Sequence, residues 1–156
     1  RGGLTTEHDE GMSDACYACD AASPEAPLRE QIIRERGWRV AHDFNSSLEG
    51  WLIAAPLRHV RALHELTTTE AAAMGDLVHR SSIALREVTG CDKTYVMLFA
   101  EAEGFEHLHL HVVPRLVDHP EDRRGPKVFA FMHDGAAVSP ERRDELALAI
   151  RAAWPS

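Results

Sequence analysis

Cysteine is scarce in this 156-residue chain: Cys16, Cys19 and Cys91 are the whole set. Three cannot staple a domain of this length, so a disulfide scaffold is excluded. No apolar run is long enough for a bilayer, so no membrane-spanning helix is expected. Basic residues are in the minority, 17 Lys and Arg against 25 Asp and Glu, for a formal charge of −8. An acidic chain lacks the broad positive field that nucleic acids and anionic membranes reward, and neither is expected as a partner. Any phosphate has to be met by a local site. Aromatics make up only 6 %, yet hydrophobic residues reach 44 % and charged residues 27 %. That balance is close to the soluble globular average and excludes a disordered chain. The polar stretch Arg1 to Gly11 has no apolar segment of the kind that directs export, so the chain reads as cytoplasmic. Met12 is a candidate natural start. Residues 1–11 are therefore expected to be a flexible extension or an expression remnant, and 12–156 a single domain.

Residues 12–27 read as loop, and Leu28 to Arg36 as a short helix or an extended arm ended by Gly37. Trp38 to Phe44 and Trp51 to Ala55 have strand length and flank the turn residues Asn45 to Gly50, which predicts an antiparallel hairpin closed by Pro56. Thr67 and Glu70 form a capping-box pattern, and Met74, Leu77, Val78, Ser81, Leu85 and Val88 follow at helical spacing. They predict one long helix over about 68–89, stopped by Gly90. Strands are expected at 94–100 and 106–114, and a short one at Val128 to Met132. Ser139-Pro140 opens a C-terminal amphipathic helix over 140–153. The sum is an α+β domain: a mostly antiparallel sheet of about five strands, one long helix packed on it, and a C-terminal helix.

Histidine is abundant where cysteine is not. The chain has ten, against a typical share of roughly 2–3 %. Three stand in His107-Leu108-His109-Leu110-His111-Val112-Val113. On a strand, successive side chains alternate faces. The three imidazoles then share one face, and Leu108, Leu110 and Val112 share the other, under the long helix. The plain reading is a solvated face that happens to be rich in histidine, but strict alternation is rarely accidental. Two chemical readings compete with it. In one, all three ligate one metal, but the outer pair are roughly 13 Å apart at Cα on a strand, and convergence is strained. Alternatively they divide labour, with a neutral middle imidazole attacking phosphorus to form a covalent phosphoramidate. Geometry favours the second.

Cys16-Tyr17-Ala18-Cys19 is the other motif. Without an export signal this spacing reads as metal ligation or redox, and the βαβ pattern of a thioredoxin-like site is missing around it. His42, His64 and His79 read as partners of local backbone or solvent, and Arg123 and Arg124 as solvated charges.

The segment HLHLHVVPR resembles the signature of the histidine triad (HIT) superfamily of nucleotide hydrolases and transferases. The Trp38-to-Pro56 hairpin, PLRHV around His59, the LHELT lead-in to the long helix, and LFAEAEGFEHLHLHVVPR stand in that family's order, so the resemblance covers about 12–153. It implies a HIT-like fold and cleavage at the α-phosphate of a nucleoside phosphoramidate, dinucleoside polyphosphate or nucleotidyl ester. His109 would be the nucleophile, and His111 would contact the phosphate or the leaving group. Asp43 would bind ribose hydroxyls, with a turn-forming role as its plainer reading. Phe44 would line the base pocket, and Gly104 would offer backbone N–H groups. It also implies a structural Zn²⁺ on Cys16, Cys19, His59 and His107, with no open position. A homodimer is expected on the same ground. Glu101 and Glu103 depart from the pattern, since carboxylates near a phosphate are unfavourable. They keep a non-catalytic nucleotide-binding module as the alternative function.

Overall fold

Trp38 and Val40, Leu52 and Ala54, and Leu110 and Val112 are buried at every second position of three neighbouring strands. Together they form the apolar face on which the helices pack. The computed structural model describes residues 16–156, so the expected extension 1–11 lies outside the described residues. Its strands are β1 (Ile33–Glu35), β2 (Trp38–His42), β3 (Leu52–Pro56), β4 (Lys93–Leu98) and β5 (Leu110–Arg115). They form one sheet in the order β1-β2-β3-β5-β4, every pair antiparallel. The helices are α1 (Tyr17–Asp20), α2 (Thr68–Thr89) and α3 (Pro140–Ala152). Ala73, Leu77, Ala84 and Leu85 of α2, and Leu146, Ala147 and Ile150 of α3, fill the core against that face. Each fully buried Leu or Ile contributes about 1.5–3 kcal/mol. Among the described residues no helix is long and apolar enough to cross a membrane.

The long helix runs over the expected residues because its ends are specified locally. Thr67 Oγ1 accepts the Glu70 N–H and Glu70 Oε2 accepts the Thr67 N–H, at 3.2 and 2.8 Å. Arg58 adds a second bond to Glu70 Oε2 at 2.8 Å, and with Thr67 it holds the Glu70 carboxyl down at about 2. Gly90 closes the helix at φ +69°. Ser139 caps α3 by accepting the Arg142 N–H.

Three expectations need correction. The fifth strand is not Val128 to Met132, which lies within a 3-10 helix spanning Gly125–Met132. Pro126 opens that turn without an N–H to give a ladder, and Val128 tucks into a second apolar cluster with Leu48, Trp51 and Val113. The fifth strand is β1, inside the segment read as a helix or arm. Arg36 and Gly37 both have positive φ, 47° and 81°, the type I′ geometry that joins β1 tightly to β2. Finally, β5 starts at Leu110, not 106, so His107 and His109 lie in its lead-in. There the chain leaves β3, which ends at Pro56, and the Leu108 N–H donates instead to Val60 O at 2.8 Å.

Candidate active site and metal centre

The opposite face of the sheet carries Arg39 and Ala41 of β2, Ile53 and Ala55 of β3, and His111 of β5. With His107 and His109 they line a cavity of about 350 Å³. Two alanines in the middle of this face leave the room. The floor continues into Asp43 and Phe44, and Tyr17, Phe105 and Phe129 form walls. The three histidines of the motif thus reach one cavity, although two precede the strand.

They do not perform one task. The His109 and His111 rings meet edge to face, with centroids 4.9 Å apart, whereas His107 turns to His59 at 5.0 Å. Each ring has one nitrogen committed to the protein. His109 Nδ1 lies 2.7 Å from the His107 carbonyl oxygen. A carbonyl only accepts, so Nδ1 carries the proton and Nε2 keeps its lone pair. In His111 the order is reversed: Trp51 Nε1–H donates to Nδ1 at 3.0 Å, which leaves the proton on Nε2 as a donor. Burial, with His109 beside it, pushes His111 down to about 4, so it is a neutral donor at neutral pH.

His107 is buried, and its Nε2 lies 2.9 Å from Pro56 O. Its Nδ1 lone pair then faces Cys16 Sγ at 3.5 Å and Cys19 Sγ at 3.6 Å, while Cys19 Sγ lies 3.3 Å from His59 Nδ1. The four donor atoms of Cys16, Cys19, His59 and His107 all lie within 4.8 Å of one another. Bonds of about 2.3 Å to sulfur and 2.0–2.1 Å to nitrogen give a tetrahedral S–N edge of about 3.6 Å. The observed spacings match it, so the residues fit a closed S₂N₂ metal centre. Burial and the adjacent Cys16 push the Cys19 thiol up to about 11; a bound dication is what removes such a proton at neutral pH. The Pro56 carbonyl, by fixing the His107 tautomer, is the outer partner a ligating imidazole needs.

Asp43 lines the cavity and is also a turn former. Its Oδ2 accepts the N–H groups of Asn45 and Ser46 at 2.8 and 2.7 Å. Burial raises its pKa, and those two bonds oppose the shift. Phe44 lines the cavity and packs on Tyr17 and Phe105, with centroids 4.8 and 6.0 Å apart. Gly104 does not line it. It sits exposed at φ +80° with open space where a side chain would stand, while its neighbours Glu101, Ala102 and Phe105 do line the cavity. Glu103 is exposed. Sequence reasoning passed over Tyr17, Glu30, Arg39, Phe105 and Phe129. Arg39, at an every-second position with Ala41 and between the apolar Trp38 and Val40, was the available signal.

No family model matches the chain, and no curated protein does. Solved structures do. A zinc-bound histidine triad family protein from Mycobacterium smegmatis is 25 % identical, covering 89 % of this chain and 92 % of its own, with a TM-score of 0.63. A hypothetical histidine triad nucleotide-binding protein from Sulfolobus tokodaii is 17 % identical over 88 % and 91 %, at 0.68. A uridylyltransferase is 20 % identical over 90 % of this chain but 45 % of its own, at 0.64. The fold is therefore one that nucleotide-binding and nucleotidyl-transferring proteins share. The chain thus has the fold of these histidine triad proteins and is similar to them, and the three alternating histidines of HLHLHVV line its cavity.

Proposed function

We propose that the protein cleaves nucleotides at the α-phosphate through a nucleotidyl-histidine on His109, as a hydrolase or nucleotidyltransferase. The single observation that carries this is the hydrogen bond from His109 Nδ1 to the His107 carbonyl, which leaves the Nε2 lone pair facing the cavity. In the first step Nε2 attacks phosphorus in line. An N–P bond forms, and the bond to the leaving group breaks with its electron pair, which takes a proton from solvent. His111 Nε2–H donates to a phosphoryl oxygen as charge gathers there. In the second step water, or another acceptor, attacks phosphorus and loses its proton, and the N–P bond returns its electrons to Nε2. Two inversions retain configuration. Positioning supplies most of the acceleration.

Asp43, held by two backbone N–H groups, orients the ribose hydroxyls, and Phe44 with Tyr17 and Phe105 flanks the base. The substrate class is a nucleoside phosphoramidate, dinucleoside polyphosphate or nucleotidyl ester. Cys16, Cys19, His59 and His107 would hold a Zn²⁺, whose chemistry there is structural: four protein ligands leave no open position, and it ties α1 to the lead-in of β5. Two copies pair through β4, whose outer edge is unpaired among the described residues and beside which Val96 and Phe99 are 45 % and 59 % exposed.

The test is intact-protein mass spectrometry after acid-free quenching with an adenosine or guanosine phosphoramidate. A gain of one nucleoside monophosphate, lost in His109→Ala, is the expected result. Nucleotide binding without adduct or turnover would leave the non-catalytic module. Metal analysis of the purified chain checks the zinc: one ion per chain is expected, and none in Cys19→Ser.

A further inference from the structure

One cationic side chain in the cavity is not used by this chemistry. Arg39 is 2 % exposed, stands on β2 and lines the cavity. Its guanidinium is half committed. Nη1 donates to Glu30 O at 2.8 Å and faces Glu30 Oε2 at 3.7 Å. Nε has no partner among the described residues, and Nη1 makes both of the contacts just described. The side-on fork, Nε–H beside Nη2–H, is thus left over. Glu30 cannot swing round to serve it, because its Oε1 accepts the Tyr17 hydroxyl at 3.0 Å and its backbone oxygen already takes Nη1. A buried unpaired donor is costly to fold around, and such groups call for a partner.

The sheet register shows which strand neighbours Arg39 has on the cavity face. Arg39 pairs with Ala55 across β2 and β3. The β3–β5 ladder ends where Ala54 pairs with Leu110, and His109 stands in the lead-in just beyond it. Arg39, Ala55 and His109 all line the same cavity. Two strand spacings put Arg39 about 10 Å from the histidine segment, and the residue between has only a methyl group. This trough has the reach of a nucleoside monophosphate from its phosphorus to the outer edge of a purine. Tyr17, Phe44 and Phe105, with centroids 4.8 to 6.0 Å apart, supply the aromatic wall that a base stacks on.

We infer that Arg39 is a specificity-determining residue that reads the O6/N7 edge of a guanine, selecting 6-keto purine nucleotides over adenine nucleotides. The inference rests on the nucleotide reading above and names its base. Two parallel N–H groups of a guanidinium match two acceptors on one purine edge, O6 and N7. Adenine places an amino group where O6 would be, donor against donor. Glu30 and Tyr17 act as positioning residues that hold Nη1 and leave the fork aimed at the base.

The test is calorimetric titration of the full, zinc-loaded chain with GMP, IMP, AMP and 7-deaza-GMP. GMP and IMP are expected to bind alike and about ten- to hundredfold tighter than AMP, the discrimination of one bidentate pair. 7-Deaza-GMP, which lacks one acceptor, is expected to fall towards AMP. Arg39→Lys and Arg39→Met should bring GMP and AMP together. Arg39 is buried and its variants can fail to fold, but the four-ligand series on the unchanged protein decides without them. Equal binding of GMP and AMP, an unchanged 7-deaza-GMP, or IMP falling with AMP would each overturn the role of Arg39 and leave nucleotidyl transfer standing. Failure of all four to bind, with no covalent adduct, would overturn both.

Discussion

The two faces of the sheet obey the same alternation and end differently. On one, Leu110 and Val112 of β5 meet α2 and α3 in a filled apolar core. On the other, His109 and His111 from the same seven residues meet a cavity floored by Ala41 and Ala55 and edged by a half-paired Arg39. The helical face gives up every opening for stability. The cavity face tolerates small residues, buried imidazoles and an unpaired donor, all of which cost stability. That division assigns the even positions of the motif to folding and the odd ones to chemistry.

Adjacent substitutions break or sharpen this division. His109→Ala should lower turnover of a nucleoside phosphoramidate at least about 10³-fold, the scale of losing a nucleophile, with an unchanged urea midpoint; a midpoint that falls steeply would make His109 structural. Leu110→Ala, one residue on, should do the reverse. A loss of about 2–5 kcal/mol in urea unfolding is expected from the cavity it leaves, with kcat preserved in the folded fraction.

His42 tests the boundary between the faces through pH. It is buried, its Nδ1 lies 2.7 Å from Asp43 O, and Gly50 N–H donates to its Nε2 at 2.9 Å. The Gly50 bond needs the neutral ring, the Asp43 bond survives protonation, and burial outweighs the latter and pushes the pKa down to about 4. Between about 6.5 and 4 the unfolded chain binds a proton that the native one does not. The stability from this ring is complete above pH 6.5 and is lost as pH falls towards 4, by roughly 3 kcal/mol. Unfolding measured from pH 7 to 4.5 should show that slope, and His42→Asn should flatten part of it.

Smaller effects follow at the supports. Trp51→Phe removes the donor to His111 Nδ1; about 1 kcal/mol of stability should go, together with a several-fold fall in kcat as the His111 tautomer is released. Thr67→Ala, on the helical face, should cost about 1 kcal/mol through the lost cap and leave kcat alone. A thermal melt beside an activity assay separates the two.

What was legible in the sequence divides along physical lines. The α2 boundaries were, because capping box and Gly90 are local chemistry. The Cys16, Cys19, His59 and His107 cluster was reached by resemblance, and its donors do converge. The identity of the fifth strand was not legible. Ile33–Glu35 is three residues long and charged, and its turn uses Arg36 at positive φ, where a sequence pattern leads one to expect Asn or Gly. Val128–Met132 misled because a short apolar run suits a strand or a buried helical turn alike. Arg39 stayed hidden because its meaning lies in which N–H groups are already taken, a tertiary fact.

The backbone carbonyl of His107, the indole of Trp51 and the carbonyl of Pro56 each engage one ring nitrogen of the triad with no ligand required. Orientation and tautomer are thereby settled once, during folding, before any ligand arrives. If the proposed nucleotidyl transfer takes place here, the substrate meets groups already preorganised for the charge that gathers on the phosphoryl oxygens, and little rearrangement of the protein stands between binding and bond formation.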